Sequence, residues 1–333
     1  MLIIRNNQVD KNKWCHLLKD NPYASPFQTY EYYEYFNSID GLSADVFAIE
    51  ENGEYIALSI VTIRKESGVK GIFSRRGIIY GGPLLADNNN TVFSFLLNNL
   101  VEHYKSKLIY IEIRNYFDYS KIFRLSINNN WEFLPYLNFR IALKNRDLEE
   151  VLSSMKYNRR REIRLSLERD AMYKECETEQ ELVQLYNILV DLYKTRVQLP
   201  LPQFCYFEAL WKSDIGKVFL VTHNNQVIGG SFCTFLKKHS IYTMYYCGIR
   251  DYDKQIFPTH LAVLAAIDYA IKNEMQYLDF MGAGLKGEEY GVRKYKKGFG
   301  GELNEYGRYR NILRPTLFYI GVKGLDIMKR IIL

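Results

Sequence analysis

Residues Val46 to Lys65 recur without a gap 172 positions later as Val218 to Lys237, with Val46/Val218, Phe47/Phe219, Asn52/Asn224, Ile56/Ile228, Ser59/Ser231, Thr62/Thr234 and Lys65/Lys237 identical. A second echo at nearly the same offset sets Tyr110-Ile111-Glu112-Ile113 against Tyr277-Leu278-Asp279-Phe280, each closing an apolar helical stretch. Two copies cannot stack into a solenoid, which needs about three or more units. The pattern therefore predicts two related α/β domains side by side, with a ligand in the cleft between them. The 333 residues leave room for them, at roughly 150 residues per domain.

Asn52-Gly53 between β-rich runs predicts a hairpin over 46–64, and its echo a second over Lys217 to Lys237. Helices are expected at Phe27 to Phe36, Val92 to Tyr104, Gln180 to Arg196 and Thr259 to Asn273, strands at Leu108 to Arg114, Ser240 to Ile249 and Tyr277 to Met281, and a strand then a glycine turn at Ile72 to Leu85, with Trp131 to Leu143 closing the first half. One long helix over Asp147 to Met172, interrupted by arginines, marks the domain boundary. The reading is a first domain at 1–146, a second at 147–312, and a C-terminal helix at 313–333 packing back on the first.

The net charge of +6 leans toward anionic partners. The five cysteines form no C-x-x-C pair, an odd and scattered set that fits neither a disulfide framework nor a zinc site. No apolar run approaches the ~18 residues of a membrane span, and the start is too polar for a signal peptide. A cytoplasmic protein is expected.

Gly282 to Gly287 satisfies G-x-G-x-x-G after a strand, but the further glycines at 291, 298, 300 and 301 should break the helix a dinucleotide site needs. They are expected to shape a turn where backbone meets substrate. Arg159, Arg160, Arg161 and Arg164 can present three guanidinium groups on one helical flank, suited to forked phosphate contacts, or pair with Glu162 and Glu168 as a solvated face. Glu112 and Asp279 end the duplicated strands and are candidate general bases, or merely caps of neighbouring turns.

The segment Tyr277 to Tyr309 resembles the Fem family of non-ribosomal peptidyltransferases, a branch of the GNAT-type N-acyltransferases. The matching pieces are Asp279-Phe280-Met281-Gly282 and the run Tyr295-Lys296-Lys297-Gly298-Phe299-Gly300-Gly301. Weaker matches are Phe27-Gln28-Thr29, Gly81-Gly82-Pro83, the Arg160 to Arg164 helix, Tyr193 to Arg196 and Pro258. The resemblance implies two tandem GNAT-like domains, each a mixed central sheet flanked by helices. It implies aminoacyl transfer from aminoacyl-tRNA to an amine of a peptidoglycan or other cell-envelope precursor, with no covalent enzyme intermediate and no cofactor. It places Lys296 at the reacting carbonyl, where a fixed cation stabilises developing negative charge. Tyr295, Gly298, Phe299 and Gly300 then bind substrate beside it, with Tyr193 and Arg196 on the acceptor.

Departures from the family pattern bear on the substrates. There is no coiled-coil arm, and Asn37 stands where acceptor-binding members tend to have lysine. Arg250 to Thr259 contains no glycine, so the GNAT pyrophosphate loop is missing and a tRNA donor is favoured over acyl-CoA. The alternatives are an acyl-CoA-dependent transferase acting on an amino sugar or amine, and a non-enzymatic polyanion-binding module. The tail carries Leu317, Ile320, Gly324, Ile327, Met328 and Ile331 on one helical face and Lys323, Lys329 and Arg330 away from it. Packing is the expected use of that stripe, with a peripheral contact to the inner face of the membrane as the other.

Overall fold

The computed structural model describes residues 1–64, 71, 74–122 and 130–322. The last position of the repeat (Lys65), the start of the strand expected from Ile72, and the tail from Lys323 onward lie outside them. Cα packing divides the chain into a first unit of 1–136 and 305–333 and a second of 137–304.

The first unit contains β1 (Leu2–Arg5), α1 (Lys11–Leu18), α2 (Tyr30–Asn37), β2 (Leu42–Glu51), β3 (Glu54–Arg64), β4 (Arg76–Gly81), β5 (Leu84–Leu85), α3 (Asn90–Tyr104), β6 (Tyr110–Asn115) and β7 (Trp131–Leu134). The second contains β8 (Tyr136–Ala142), α4 (Leu148–Ser154), α5 (Tyr157–Glu168), β9 (Met172–Glu175), α6 (Glu179–Leu192), α7 (Phe204–Lys212), β10 (Gly216–His223), β11 (Gln226–Leu236), β12 (Ser240–Gly248), α8 (Pro258–Lys272), β13 (Tyr277–Leu285), α9 (Gly291–Lys297) and β14 (Glu302–Asn304). The chain then returns to the first unit with β15 (Arg308–Ile312). The sheets run β1-β2-β3-β4-β6-β15-β7, with β5 on β3, and β14-β8-β13-β12-β11-β10-β9.

The duplication extends to backbone detail. Both hairpins turn on left-handed residues, Asn52 with Gly53 and Asn224 with Asn225, the conformation a tight two-residue hairpin demands. Each carries one bulge at the same place in the repeat. Ile49 faces Ala57 and Glu50 faces Tyr55, while Val221 faces Gly229 and Thr222 faces Val227, so Ile56 and Ile228 are the extra residues. Both bulged carbonyls accept a backbone bond from the next segment, from Ala86 N at 2.9 Å and Ile249 N at 2.7 Å.

Three boundaries depart from expectation. The segment over 131–143, expected to close the first half, is two strands. Its second half, β8, pairs with β14, so the unit boundary falls at 136/137 rather than 146/147. Likewise β15, expected in the second domain, is inserted between β6 and β7 of the first sheet. The long helix over 147–172 breaks at Met155, which is extended, into α4 and α5. Residues 315–322 are helical, and Phe318 meets Tyr110 edge-to-face at 5.7 Å. Ile320, expected on the packed stripe, is 51% exposed.

Helix α6 ends in a π-helical turn, Tyr193–Val197, and starts at a capping box of Thr178 and Glu181. Its apolar face buries Leu182, Leu185 and Leu189 at helical spacing. Thr178→Ala should destabilise the protein by about 1 kcal/mol, read as a lower denaturant midpoint at unchanged slope; an unchanged midpoint would show that the cap contributes nothing.

Candidate active site

In the second unit β12 and β13 pair in parallel at only three positions, Ser240↔Tyr277, Ile241↔Leu278 and Tyr242↔Asp279. Both strands continue past this point, to Gly248 and Leu285, so they open as a wedge. Two distortions sit at its mouth. Phe232 of β11 faces Tyr245 and Cys233 faces Thr243, which leaves Met244 as a bulge on β12. Met281 on β13 holds φ at 60°, a region few side chains other than glycine enter. The counterpart strands of the first unit, β4 and β6, stay paired over six positions from Arg76↔Tyr110 to Gly81↔Asn115 and form no wedge.

Side chains under β13 fix this backbone. Asp279, fully buried, accepts from Met281 N at 2.6 Å and pairs with Arg140, whose Nε and Nη2 lie 3.2 and 3.1 Å from Oδ2. Burial pushes its carboxyl above the ordinary value, although Arg140, the Met281 N–H and Lys296 all oppose the shift. Lys296 is 4% exposed and donates from Nζ to the carbonyls of Phe280 at 2.7 Å and Gly282 at 2.6 Å. Burial brings its amine down to about 8, against the pull of Asp279. One turn earlier Arg293 donates from Nε to Ala283 O at 2.9 Å and from Nη2 to Leu285 O. Two cations spaced i, i+3 on α9 thus hold β13 after β12 has diverged.

This corrects several expectations. Gly282 and Gly284 lie within a continuous strand rather than a turn, and the glycines around 291 and 298 bound a helix instead of preventing one. Lys296 does not project from a loop as an open cation: its position on α9 turns it inward, so its charge acts through β13.

The motif glycines are required by packing. A Cβ on Gly298 would stand 3.0 Å from Arg159 Nε, one on Gly300 2.8 Å from Ser154 O, and one on Gly301 2.4 Å from Arg140 O. They therefore admit neighbouring protein rather than substrate. Arg159 alone of the arginine block turns inward, with its guanidinium 4.4 Å from the Tyr295 ring centre and 4.5 Å from that of Phe299. It also donates to His260 Nε2, whose imidazole burial and Arg159 bring down to about 3, so the ring is a neutral acceptor. Tyr295 stacks on Tyr246 of β12 at 5.7 Å and donates to Thr259 O at 3.1 Å, while the buried Phe299 packs on Phe280.

Tyr193 reaches the β12 side of the wedge, 6.1 Å from Tyr245, whereas Arg196 on the same π turn is exposed. Arg160 and Arg164 are elsewhere, lining with Tyr157 and Arg161 a groove of about 370 Å³ on α5. There Arg164 pairs with Glu149 at 3.0 Å, and Arg160 donates to Ser153 O at 3.2 Å. Glu112 belongs to the first unit. Three arginines occupy both its oxygens, and although burial alone would raise it, they hold it down at about 2, which removes it as a general base. Sequence reasoning gave no role to Arg140, Arg293, Met244 or Met281; Arg293, spaced i, i+3 from Lys296, and Met281, inside the matched Asp279 to Gly282 piece, left a signal.

Two sheets with their helices, one opened as a wedge between parallel strands, define a tandem GNAT-like fold. Residues 153–297 match the family model described as the acetyltransferase (GNAT) domain, so the second unit is an acyltransferase domain of GNAT type. FemX is a structural relative at a TM-score of 0.72 and 15% identity, over 96% of this chain and 99% of that one. The C-terminal domain of a protein named as a lysylphosphatidylglycerol synthetase from Agrobacterium fabrum follows at 0.59 and 12%, with 95% of each chain covered. A tandem GNAT protein of the clavulanic acid biosynthesis pathway aligns at 0.56 and 7%, over 94% of this chain and 99% of that one. No curated protein sequence is significantly similar to this chain. The fold is thus of the Fem-like tandem kind. No helix among the described residues is long and apolar enough to cross a membrane.

The Lys296 amine titrates near 10.5 when unfolded and about 8 when folded. Between those values the unfolded chain holds the extra proton, so raising the pH favours the folded state, by an amount on the order of 3 kcal/mol. Unfolding free energy should climb from pH 8 to 10.5 in the wild type and climb less in Lys296→Met; identical profiles would show that the amine is not held as described.

Proposed function

We propose that the protein is an aminoacyltransferase that moves an aminoacyl group from the ester of an aminoacyl-tRNA to an amine of a peptidoglycan or other cell-envelope precursor. The observation that carries the choice of donor is the state of the α8 N-terminus, which follows β12 where an acyl-CoA pyrophosphate would seat on free N–H groups. Here Pro258 has no N–H, Phe257 N donates to Ser166 Oγ at 2.9 Å, and His260 N is bonded to Phe257 O. Arg159, His260 and the Phe257 ring crowd the same helix end. The likeness to FemX, and to a domain named for lysylphosphatidylglycerol synthesis, supports aminoacyl transfer in the cell envelope.

In this reading the neutral acceptor amine attacks the ester carbonyl. The new N–C bond forms, the C–O bond to the ribose breaks, and the proton lost by nitrogen balances the one gained by the leaving oxygen. The developing oxyanion lies in the wedge, against backbone N–H groups released where β12 and β13 part. Lys296 and Asp279 are positioning residues for that backbone, and the buried ammonium adds a favourable field. Tyr193 and Tyr245 offer an aromatic wall for the donor's terminal base.

Purified protein given charged tRNAs, acyl-CoAs and amine acceptors should transfer from tRNA. Transfer from CoA alone would select a CoA-dependent N-acyltransferase. Salt-sensitive polyanion binding with no transfer would leave a binding module. Lys296→Ala should lower kcat by about 100-fold while the KM for the amine is kept; unchanged turnover would remove Lys296 from the mechanism.

A further inference from the structure

The helix that carries Lys296 holds both sides of the wedge. From α9, Lys296 takes the β13 side through the Phe280 and Gly282 carbonyls. The residue before it, Tyr295, takes the β12 side, its ring stacked on that of Tyr246 at 5.7 Å and 17°. Tyr246 lies just past the Met244 bulge, where β12 has already left β13. How α9 is turned about its axis therefore sets how widely the wedge opens.

That turn is fixed by a chain of hydrogen bonds that runs through His260. Arg159 of α5 is 9% exposed and donates from Nη1 to His260 Nε2. A neutral imidazole has one N–H and one acceptor nitrogen, so the network assigns the ring hydrogen to Nδ1. Nδ1 lies 3.3 Å from the Tyr295 hydroxyl, which in turn donates to Thr259 O at 3.1 Å. Every donor points the same way, from Arg159 to His260, to Tyr295, to the α8 backbone. An imidazolium would offer Arg159 no acceptor, and burial together with the Arg159 charge keeps the ring neutral. Glu162, with Oε2 3.1 Å from His260 Nε2, meets no proton on the ring and instead balances the guanidinium. The His260 ring lies flat on Phe257 at 5.4 Å and edge-on to Phe299 at 6.1 Å, which fixes its plane.

We propose that His260 is a positioning residue for the transfer reaction: it fixes Tyr295, and through α9 the Lys296 amine and the width of the wedge, without touching substrate. The proposal rests on the reading of the wedge as the transfer site, and it has one readout with turnover and one without.

The variants are His260→Gln, whose amide keeps an acceptor and a donor side by side, His260→Leu, which keeps neither, and Tyr295→Phe, which removes only the hydroxyl. His260→Asn, too short to reach Arg159, takes the place of His260→Leu if that variant does not fold. Without turnover, competitive acetylation of the full chain across pH, followed by mass spectrometry of the Lys296 peptide, reports the amine directly. It should titrate near 8 in the wild type and His260→Gln, and move toward 10.5 in His260→Leu and Tyr295→Phe. With charged tRNA as donor, His260→Leu and Tyr295→Phe should each lower kcat about tenfold or more at an unchanged KM for the amine, with His260→Gln close to the wild type. The double variant should be no slower than the slower single one, because both changes break one chain. A wild type that transfers from no donor would remove the transfer reading, and the amine titration would then decide the role of His260 by itself. Lys296 titrating alike in the wild type, His260→Leu and Tyr295→Phe, or kcat losses that multiply in the double variant, would overturn the proposal.

Discussion

A lysine amine buried under a strand is the constraint on which the second unit depends. Burying an ammonium is expensive unless hydrogen bonds replace its water. Lys296 finds them on Phe280 and Gly282, the carbonyls that flank the left-handed Met281. The same charge draws toward the buried Asp279, which holds the Met281 N–H from the other side. Strand and helix are therefore mutually required: α9 cannot keep its lysine inside without the left-handed backbone at Met281, and the Phe280 and Gly282 carbonyls lose their partner without α9. Arg159 extends the arrangement by wedging between Tyr295 and Phe299, which is why position 298 has no room for a side chain.

The two halves show one plan put to different uses. Glu112 and Asp279 occupy equivalent positions in the duplicated strands, and both are buried carboxylates held by arginine. Around Asp279 one arginine and one lysine serve a strand that leaves its neighbour. Around Glu112 three arginines gather on a strand that stays paired on both sides, and β15 fills the sheet there. The wedge exists in the second unit, which is also the part that matches the GNAT domain.

Much of this was legible in the chain, and the limits have physical causes. The hairpins follow from local turn chemistry and alternation, which act over a few residues, whereas their shared bulge was seen only in the strand register. The Tyr295 to Gly301 run marked the right place but not the right reasons. Its glycines looked like room for substrate, and they are room for Arg159, Ser154 and Arg140, partners 139 to 161 positions away that no local pattern reveals. The break at Met155 was hidden because both helices share apolar spacing. The exchange of β8 and β15 between sheets was hidden because strand pairing is non-local, and nothing in a single strand names its neighbour. Glu112 was recognisable as a strand-end carboxylate, but two of its three arginines come from β15, nearly 200 positions away, and all three decide its chemistry.

The central claim is that the opening between β12 and β13 receives the acyl ester of an RNA donor. The most direct measurement is photocrosslinking of the full chain with a photoreactive aminoacyl group joined to adenosine by a stable amide, followed by peptide mapping. The account predicts labelling at Tyr245, Tyr246 or Met281, suppressed by excess unlabelled aminoacyl-tRNA. Labelling confined to positions outside 240–285, or labelling at those positions that acyl-CoA displaces and aminoacyl-tRNA does not, would contradict it.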